Sequence, residues 1–190
     1  MQKILKRSFF ERCTLEVAPE LLGKVIVLRQ SRKQQNFGII VEVEAYTSND
    51  PACHATRGKT SRNEVMFGPG GFSYVYFIYG MYHCLNFVTE KEGIPGAVLI
   101  RALEIPDKDT RIASGPGKLC KHLKITKKHN NLDCCNDGSA LIITNNSSYN
   151  SNNFSITQTA RVGISKAIDY PWRWYIKDNS SVSKILRERV

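Results

Sequence analysis

The chemistry in this chain starts from one short stretch, residues 37–46, FGIIVEVEAY. Read as an extended strand, its second half alternates. Ile39, Val41, Val43 and Ala45 fall on one face, and Glu42, Glu44 and Tyr46 on the other. Two carboxylates and a phenol in a row have two readings. One is a polar face turned to solvent. The other is a carboxylate poised as a general base beside an aromatic surface. In that second reading Glu42 and Glu44 stand too close for both to be buried and freely charged, so one is structural or paired with an arginine.

A second stretch, residues 74–82 (YVYFIYGMY), places four tyrosines in nine residues. Strand-favouring aromatics can simply pack a core. Four phenol hydroxyls, however, each need a partner when buried, and aromatic faces also suit the stacking of nucleic-acid bases. Tyr79 beside Gly80, at the tip of a hairpin, is placed to act as a wedge between bases. His54 sits alone in a long polar stretch, where a structural hydrogen bond competes with a role in a pocket. Cys120-x-His122, His129 and Cys134-Cys135 match no familiar zinc spacing, so no metal is expected. There is no phosphate-binding loop, dinucleotide fingerprint or nucleophile elbow. Gly115-x-Gly117-Lys118 is too short for a phosphate loop. It reads as a helix start whose amides could meet a DNA phosphate.

These residues need a scaffold. A short helix is predicted over 14–22, ended by Gly23. Strands are predicted over 24–29, 37–46, 72–78, 82–88, 97–104, 139–144 and 172–177. Gly80 turns 72–78 into 82–88 as a hairpin. Pro116 opens a helix over 116–124. Residues 31–36 form a polar turn and 147–153 a Ser/Asn-rich surface loop. Residues 47–71 form a long loop, and loops of that length inside a domain are usually functional. Strands dominate, with no internal repeat and no linker. The expected fold is α+β: one domain, 1–190, around a curved, mainly antiparallel β-sheet with a few peripheral helices and a protruding β-hairpin.

The 190 residues carry a formal net charge of +10, which points to a polyanionic partner such as nucleic acid or an anionic membrane surface. The charge has a location. Residues 101–128 hold eight Lys or Arg against three acids, whereas 129–160 hold no Lys or Arg. The first residues are charged before any apolar segment could form a leader, and the Tyr-rich run 72–88 reads as strands rather than a membrane span. The expected setting is intracellular, with the six cysteines as free thiols. It would be the cytoplasm of a prokaryote or the nucleus of a eukaryote.

VEVEAY and His54, then RNEVMFGPGGFSYVYFIYGMYHCLN (62–86) and LIRALE (99–104), closely resemble the alkyladenine (3-methyladenine) DNA glycosylases of the mammalian and bacterial type. That family is distinct from the helix-hairpin-helix glycosylases. The similarity extends to FFERCTLEVAPELLGK (9–24), GPGKLC (115–120) and ARVGI (160–164). The resemblance implies that Glu44 is the general base and that Arg101 and the carbonyl of Val162 help to hold the nucleophilic water. It implies that Tyr46, His54 and Tyr76 surround a flipped base, that Asn86 disfavours the exocyclic amine of guanine, and that Tyr79 enters the gap left in the duplex. The expectation is a monofunctional enzyme of base excision repair, acting as a monomer on double-stranded DNA with alkylated purines, and deaminated purines as a further class, with no cofactor and no membrane. The competing classes are a non-catalytic nucleic-acid-binding module, which would not need Glu44, and an RNA-directed protein.

Overall fold

The computed structural model describes residues 3–31, 34–147, 149 and 154–183. Among them, eight strands join one antiparallel sheet: β1 (Val25–Arg29), β2 (Gln35–Tyr46), β3 (Ser73–Ile78), β4 (Tyr82–Thr89), β5 (Gly96–Glu104), β6 (Leu141–Thr144), β7 (Ile156–Thr159) and β8 (Arg173–Ile176). Neighbours run in the order β3-β4-β5-β2-β1-β6, with β8 pairing both β2 and β7. Three helices lie around it: α1 (Arg7–Phe10), α2 (Thr14–Glu20) and α3 (Pro116–Leu123). The expected α+β class and curved antiparallel sheet are what the chain forms. None of these helices is long and apolar enough to cross a membrane, and all six cysteines are free.

β2 is the spine. Its first half pairs β1 through Gln35–Ile39, and its second half pairs β8 through Glu42, Val43 and Glu44. The change of partner coincides with irregularities in the β2–β5 register between Ile40 and Val43. Extra residues of this kind bend a strand and re-aim its side chains. Val41 is the extra residue on β2 and Arg101 the extra residue on β5, so Arg101 is released toward the carboxylates of β2. Residues 40–45 are wholly buried, because α2 packs on one face of β2 and the pocket wall covers the other.

Two apolar clusters hold these parts. The larger joins Phe10, Val17, Leu21, Ile26, Ile40, Val43, Leu85, Phe87, Ile100, Leu103, Leu119 and Ile143 among others. Each such side chain removed from water contributes roughly 1.5–3 kcal/mol. The smaller, built on Cys53, Ala55, Val65, Met66, Tyr74, Val88 and Ala97, pins the 47–71 loop against the sheet. That loop contains a 3-10 turn, Glu64–Phe67, which the sequence pattern did not signal.

The β3–β4 hairpin closes as Ile78 pairs with Tyr82 and the Met81 N–H meets the Ile78 carbonyl. Tyr79 and Gly80 both adopt positive φ, +52° and +65°, a turn whose twist matches the strands. Gly117, in the first turn of α3, is required for contact: a Cβ there would lie 2.8 Å from the Tyr82 ring. Helix and hairpin are therefore seated on each other.

The differences from expectation are local. α1 and β7 were not anticipated, and α2 stops at Glu20, two residues earlier than predicted. The expected 147–153 loop, and part of the 31–36 turn, lie outside the described residues.

Candidate active site

Glu42 and Glu44 are both 0% exposed, so the solvated-face reading of the β2 carboxylates does not hold. Their partners differ. Glu42 accepts the Nε–H of Arg101 at 3.0 Å and of Arg173 at 2.7 Å. It also accepts the Ser183 backbone N–H at 2.7 Å and its hydroxyl at 2.8 Å. Burial pushes the Glu42 carboxyl pKa up, but Arg101, Arg173 and Ser183 outweigh it and hold the group below its ordinary value. The expected arginine partner thus exists, and there are two.

Glu44 accepts the Val162 N–H at 2.7 Å and the Tyr46 phenol at 2.9 Å, with Nη1 of Arg101 at 3.3 Å. Unlike Glu42, it opens onto a pocket of about 350 Å³. That is the small end of ordinary ligand sites, roughly 300–1,000 Å³. All eight residues singled out from the sequence line it: Glu44, Tyr46, His54, Tyr76, Tyr79, Asn86, Arg101 and Val162.

They come from several supports. Glu44 and Tyr46 stand two apart on β2, Tyr76 and Asn86 on paired strands, and Arg101 on the irregular step of β5. Tyr46 and Tyr76 are held as neutral phenols, their pKa values raised first by burial. The His54 ring meets Tyr76 edge-on at 4.6 Å. Burial, then Arg62, holds the His54 imidazole below its ordinary pKa, so it is neutral at pH 7. The tyrosine-rich run divides in two. Tyr74 and Tyr76 turn inward, whereas Tyr79 is 82% exposed beside exposed Met81 and Tyr82.

Several site residues were missed by sequence reasoning. Arg161 forms a buried ion pair with Asp50 and donates to the Ala45 carbonyl at 3.0 Å. Its guanidinium lies 4.6 Å from the Tyr46 ring centre and 5.3 Å from that of Trp172. It thereby fixes the segment that delivers the Val162 N–H to Glu44. The stretch ARVGI was the available signal for Arg161. Arg173 and Ser183 carried none. The charge footprint also needs one correction. Arg101 is buried and neutralised by glutamates, so it adds nothing to a surface. The seven other basic residues of 101–128 are exposed. Among the described residues, no three of His, Cys, Asp and Glu converge as metal ligands would.

A buried carboxylate under aromatic walls, beside an exposed aromatic tip, suits a hydrolase that works on nucleic-acid bases. Residues 8–180 match the methylpurine-DNA glycosylase family, and the chain belongs to it. It is accordingly a hydrolytic N-glycosylase acting on alkylated purines in DNA. Relatives named "Putative 3-methyladenine DNA glycosylase" include one from Wolbachia sp. subsp. Brugia malayi, 52% identical over 92% of this chain and 98% of its own length. One from Ehrlichia chaffeensis is 51% identical over 92% of this chain and 94% of its own length. One from Synechococcus sp. is 49% identical, covering 88% and 92%.

Proposed function

We propose that this protein is a monofunctional 3-methyladenine-type DNA glycosylase of base excision repair, one catalytic domain acting as a monomer on one duplex. The observation that carries the reading is Glu44, a buried carboxylate that faces the pocket with acceptor capacity to spare. A purine in a stacked duplex is out of reach, so the enzyme extrudes it at a cost of a few kcal/mol. Tyr79 fills the vacated space, where stacking is worth roughly 1–3 kcal/mol. The extruded base lies among Tyr46, His54 and Tyr76. A cationic alkylated purine gains about 0.5–2 kcal/mol from aromatic faces, and an undamaged purine gains less. Asn86, on the pocket wall, is the residue assigned to disfavour the exocyclic amine of guanine.

Water then attacks C1′ of the deoxyribose. Its proton passes to Glu44, and the N-glycosidic electron pair leaves with the base. The positive charge of the alkylated purine is cancelled by that pair, so little acid help is needed. A neutral lesion such as hypoxanthine would need a proton or hydrogen bond on the leaving base. The carboxylate charge also steadies the oxocarbenium-like sugar. Arg101 and the Val162 carbonyl hold the water. With water as nucleophile no covalent enzyme–DNA adduct forms, and the product is an abasic site in an unbroken strand.

Single-turnover assays on duplexes carrying one alkylated purine test this. Release of the free base without strand scission, abolished in Glu44→Gln, is expected. Release unaffected by Glu44→Gln removes the residue from the mechanism. Lesion binding without release identifies a non-catalytic binding module, and release from RNA alone identifies an RNA enzyme.

A further inference from the structure

Residues 161–169 reach the pocket through Val162, Gly163 and Ile164, yet little in the fold holds them. They form no helix or strand, and none of them belongs to either apolar cluster. Ala167 takes a positive φ of +47°, a conformation that a residue with a side chain keeps only where its surroundings impose it. Among the described residues, two groups tie this segment to β2 and the 47–71 loop: the Val162 N–H on Glu44, and the side chain of Arg161. We propose that the Asp50–Arg161 pair is a positioning device for the chemical step. It anchors the Val162 peptide, whose N–H orients Glu44 and whose carbonyl is assigned to the water. Neither Asp50 nor Arg161 lines the pocket, so both act through that peptide. The anchoring is a property of the free protein. Its effect on rate rests on the function proposed above.

Nη1 of Arg161 donates to the Ala45 carbonyl at 3.0 Å and to Oδ2 of Asp50, and Nη2 donates to Oδ1 of Asp50 at 2.8 Å. Ala45 stands between Glu44 and Tyr46 on β2. The Arg161 side chain and the Val162 N–H therefore grip β2 at adjacent residues, and the peptide that joins them cannot swing away from Glu44. The face of the guanidinium lies over the rings of Tyr46 and Trp172. A lysine would carry the charge but neither the fork nor the flat face. Nε–H of Arg161 is buried without a partner among the described residues. An unpaired buried donor is unfavourable, so the side chain is placed by what its fork must reach. Asp50 fixes the fork in turn. Its Oδ1 also accepts the Ala52 N–H at 3.0 Å, and its carbonyl accepts the Cys53 N–H at 2.9 Å. The carboxylate is thus tied to its own loop and cannot follow a displaced Arg161. That loop has a further hold through Cys53, Ala55, Val65 and Met66. Loss of the pair therefore frees the 161–169 segment rather than the wall that carries His54.

Arg161→Lys keeps the charge and removes the fork. Its maximal single-turnover rate per folded molecule, on a duplex with one alkylated purine, should fall about 10²-fold, the scale of a small misplacement at a reacting centre. Affinity for the same duplex should stay close to wild type. Asp50→Asn keeps an oxygen for the Ala52 N–H but turns an amide against the fork, and should slow the rate likewise. The double variant should be no slower than the slower single one, as for residues that act as a unit. Amide exchange gives a readout without substrate. In the wild type the Val162 N–H should exchange more slowly than its neighbours in 161–169. In both variants it should speed up while the amides of β1 and β6 keep their protection. A pair that only stabilises the fold would lower the melting temperature and leave the rate per folded molecule unchanged. That result overturns the proposal, and so do additive rate losses, a loss that falls on lesion affinity instead of rate, or an unprotected Val162 amide in the wild type. If Arg161→Lys does not fold, Asp50→Asn decides. Failure of both to fold makes the pair structural and also overturns the proposal. A wild-type protein that releases no base overturns the glycosylase reading and the rate effect together, while the exchange pattern still decides the anchoring.

Discussion

Glu42 and Glu44 lie two residues apart on β2, are equally inaccessible, and share Arg101. A carboxylate offers about four acceptor sites. Glu42 fills them with Arg101, Arg173 and both the amide and hydroxyl of Ser183. Glu44 fills fewer. It has Val162, Tyr46 and a longer approach from Arg101, and its remaining side faces the pocket. Burial does not separate a base from a strut. The number of lone pairs left uncommitted, and where they face, does.

The sharpest way to break the comparison is Glu44→Gln. It should keep the fold and lesion binding while lowering the single-turnover rate by roughly 10²–10⁴-fold, the usual worth of a general base. Glu42→Gln should do the reverse in emphasis. Unbalancing a buried ion pair costs on the order of 3–5 kcal/mol, to be read as a fall in melting temperature that exceeds any loss of rate per folded molecule. Equal effects of the two variants on both readouts would erase the distinction. The same site predicts acid behaviour. The folded Glu42 pKa lies below its ordinary value of 4.5. Its stabilisation is therefore complete above that value and drains away as pH falls through the lower folded value. Melting temperatures measured between pH 6 and about pH 3 should fall less steeply in Glu42→Gln than in the wild type.

Smaller effects belong to the exposed half of the molecule. Tyr79→Ser should weaken binding to lesion or abasic duplexes by roughly 1–3 kcal/mol. Undamaged duplex, held through phosphates, should be nearly unaffected. Equal losses on both would make Tyr79 a packing residue and pass the wedge to Met81 or Tyr82. The smallest change is expected from exposed Lys118. If it meets a phosphate, Lys118→Ala lowers the slope of log affinity against log salt by about 0.9. An unchanged slope takes it out of the interface.

What was legible in the sequence was local. Alternation put Glu44 and Tyr46 on one face, and Gly80 announced the hairpin that carries Tyr79. Family motifs then supplied Arg101, Asn86 and Val162, which no spacing could have joined to Glu44. The partners of the carboxylates were not legible, because they arrive from afar. Arg173 is 131 residues from Glu42, and Arg161 is 111 from Asp50. An arginine in a polar stretch looks like any surface arginine until the fold buries it. β7 escaped for a related reason. Ile156–Thr159 alternates between exposed and half-buried positions and owes its strand form to pairing with β8. α1 spans one turn, too short to show a helical period.

The closure of Glu42 has a consequence for how the protein reaches its native state. Its donors come from positions 59, 131 and 141 residues along the chain. Bringing such distant segments together is slow, and each loop must be closed before its contact gives any return. A collapsed chain that buried Glu42 without Arg173 would trap an uncompensated charge in its interior, a state heavily disfavoured. Half-assembled forms are thus penalised at the point where the sheet is threaded most tightly. Closing the Glu42 cluster and seating the strand that carries Glu44 are thereby coupled, because β2 bears both carboxylates.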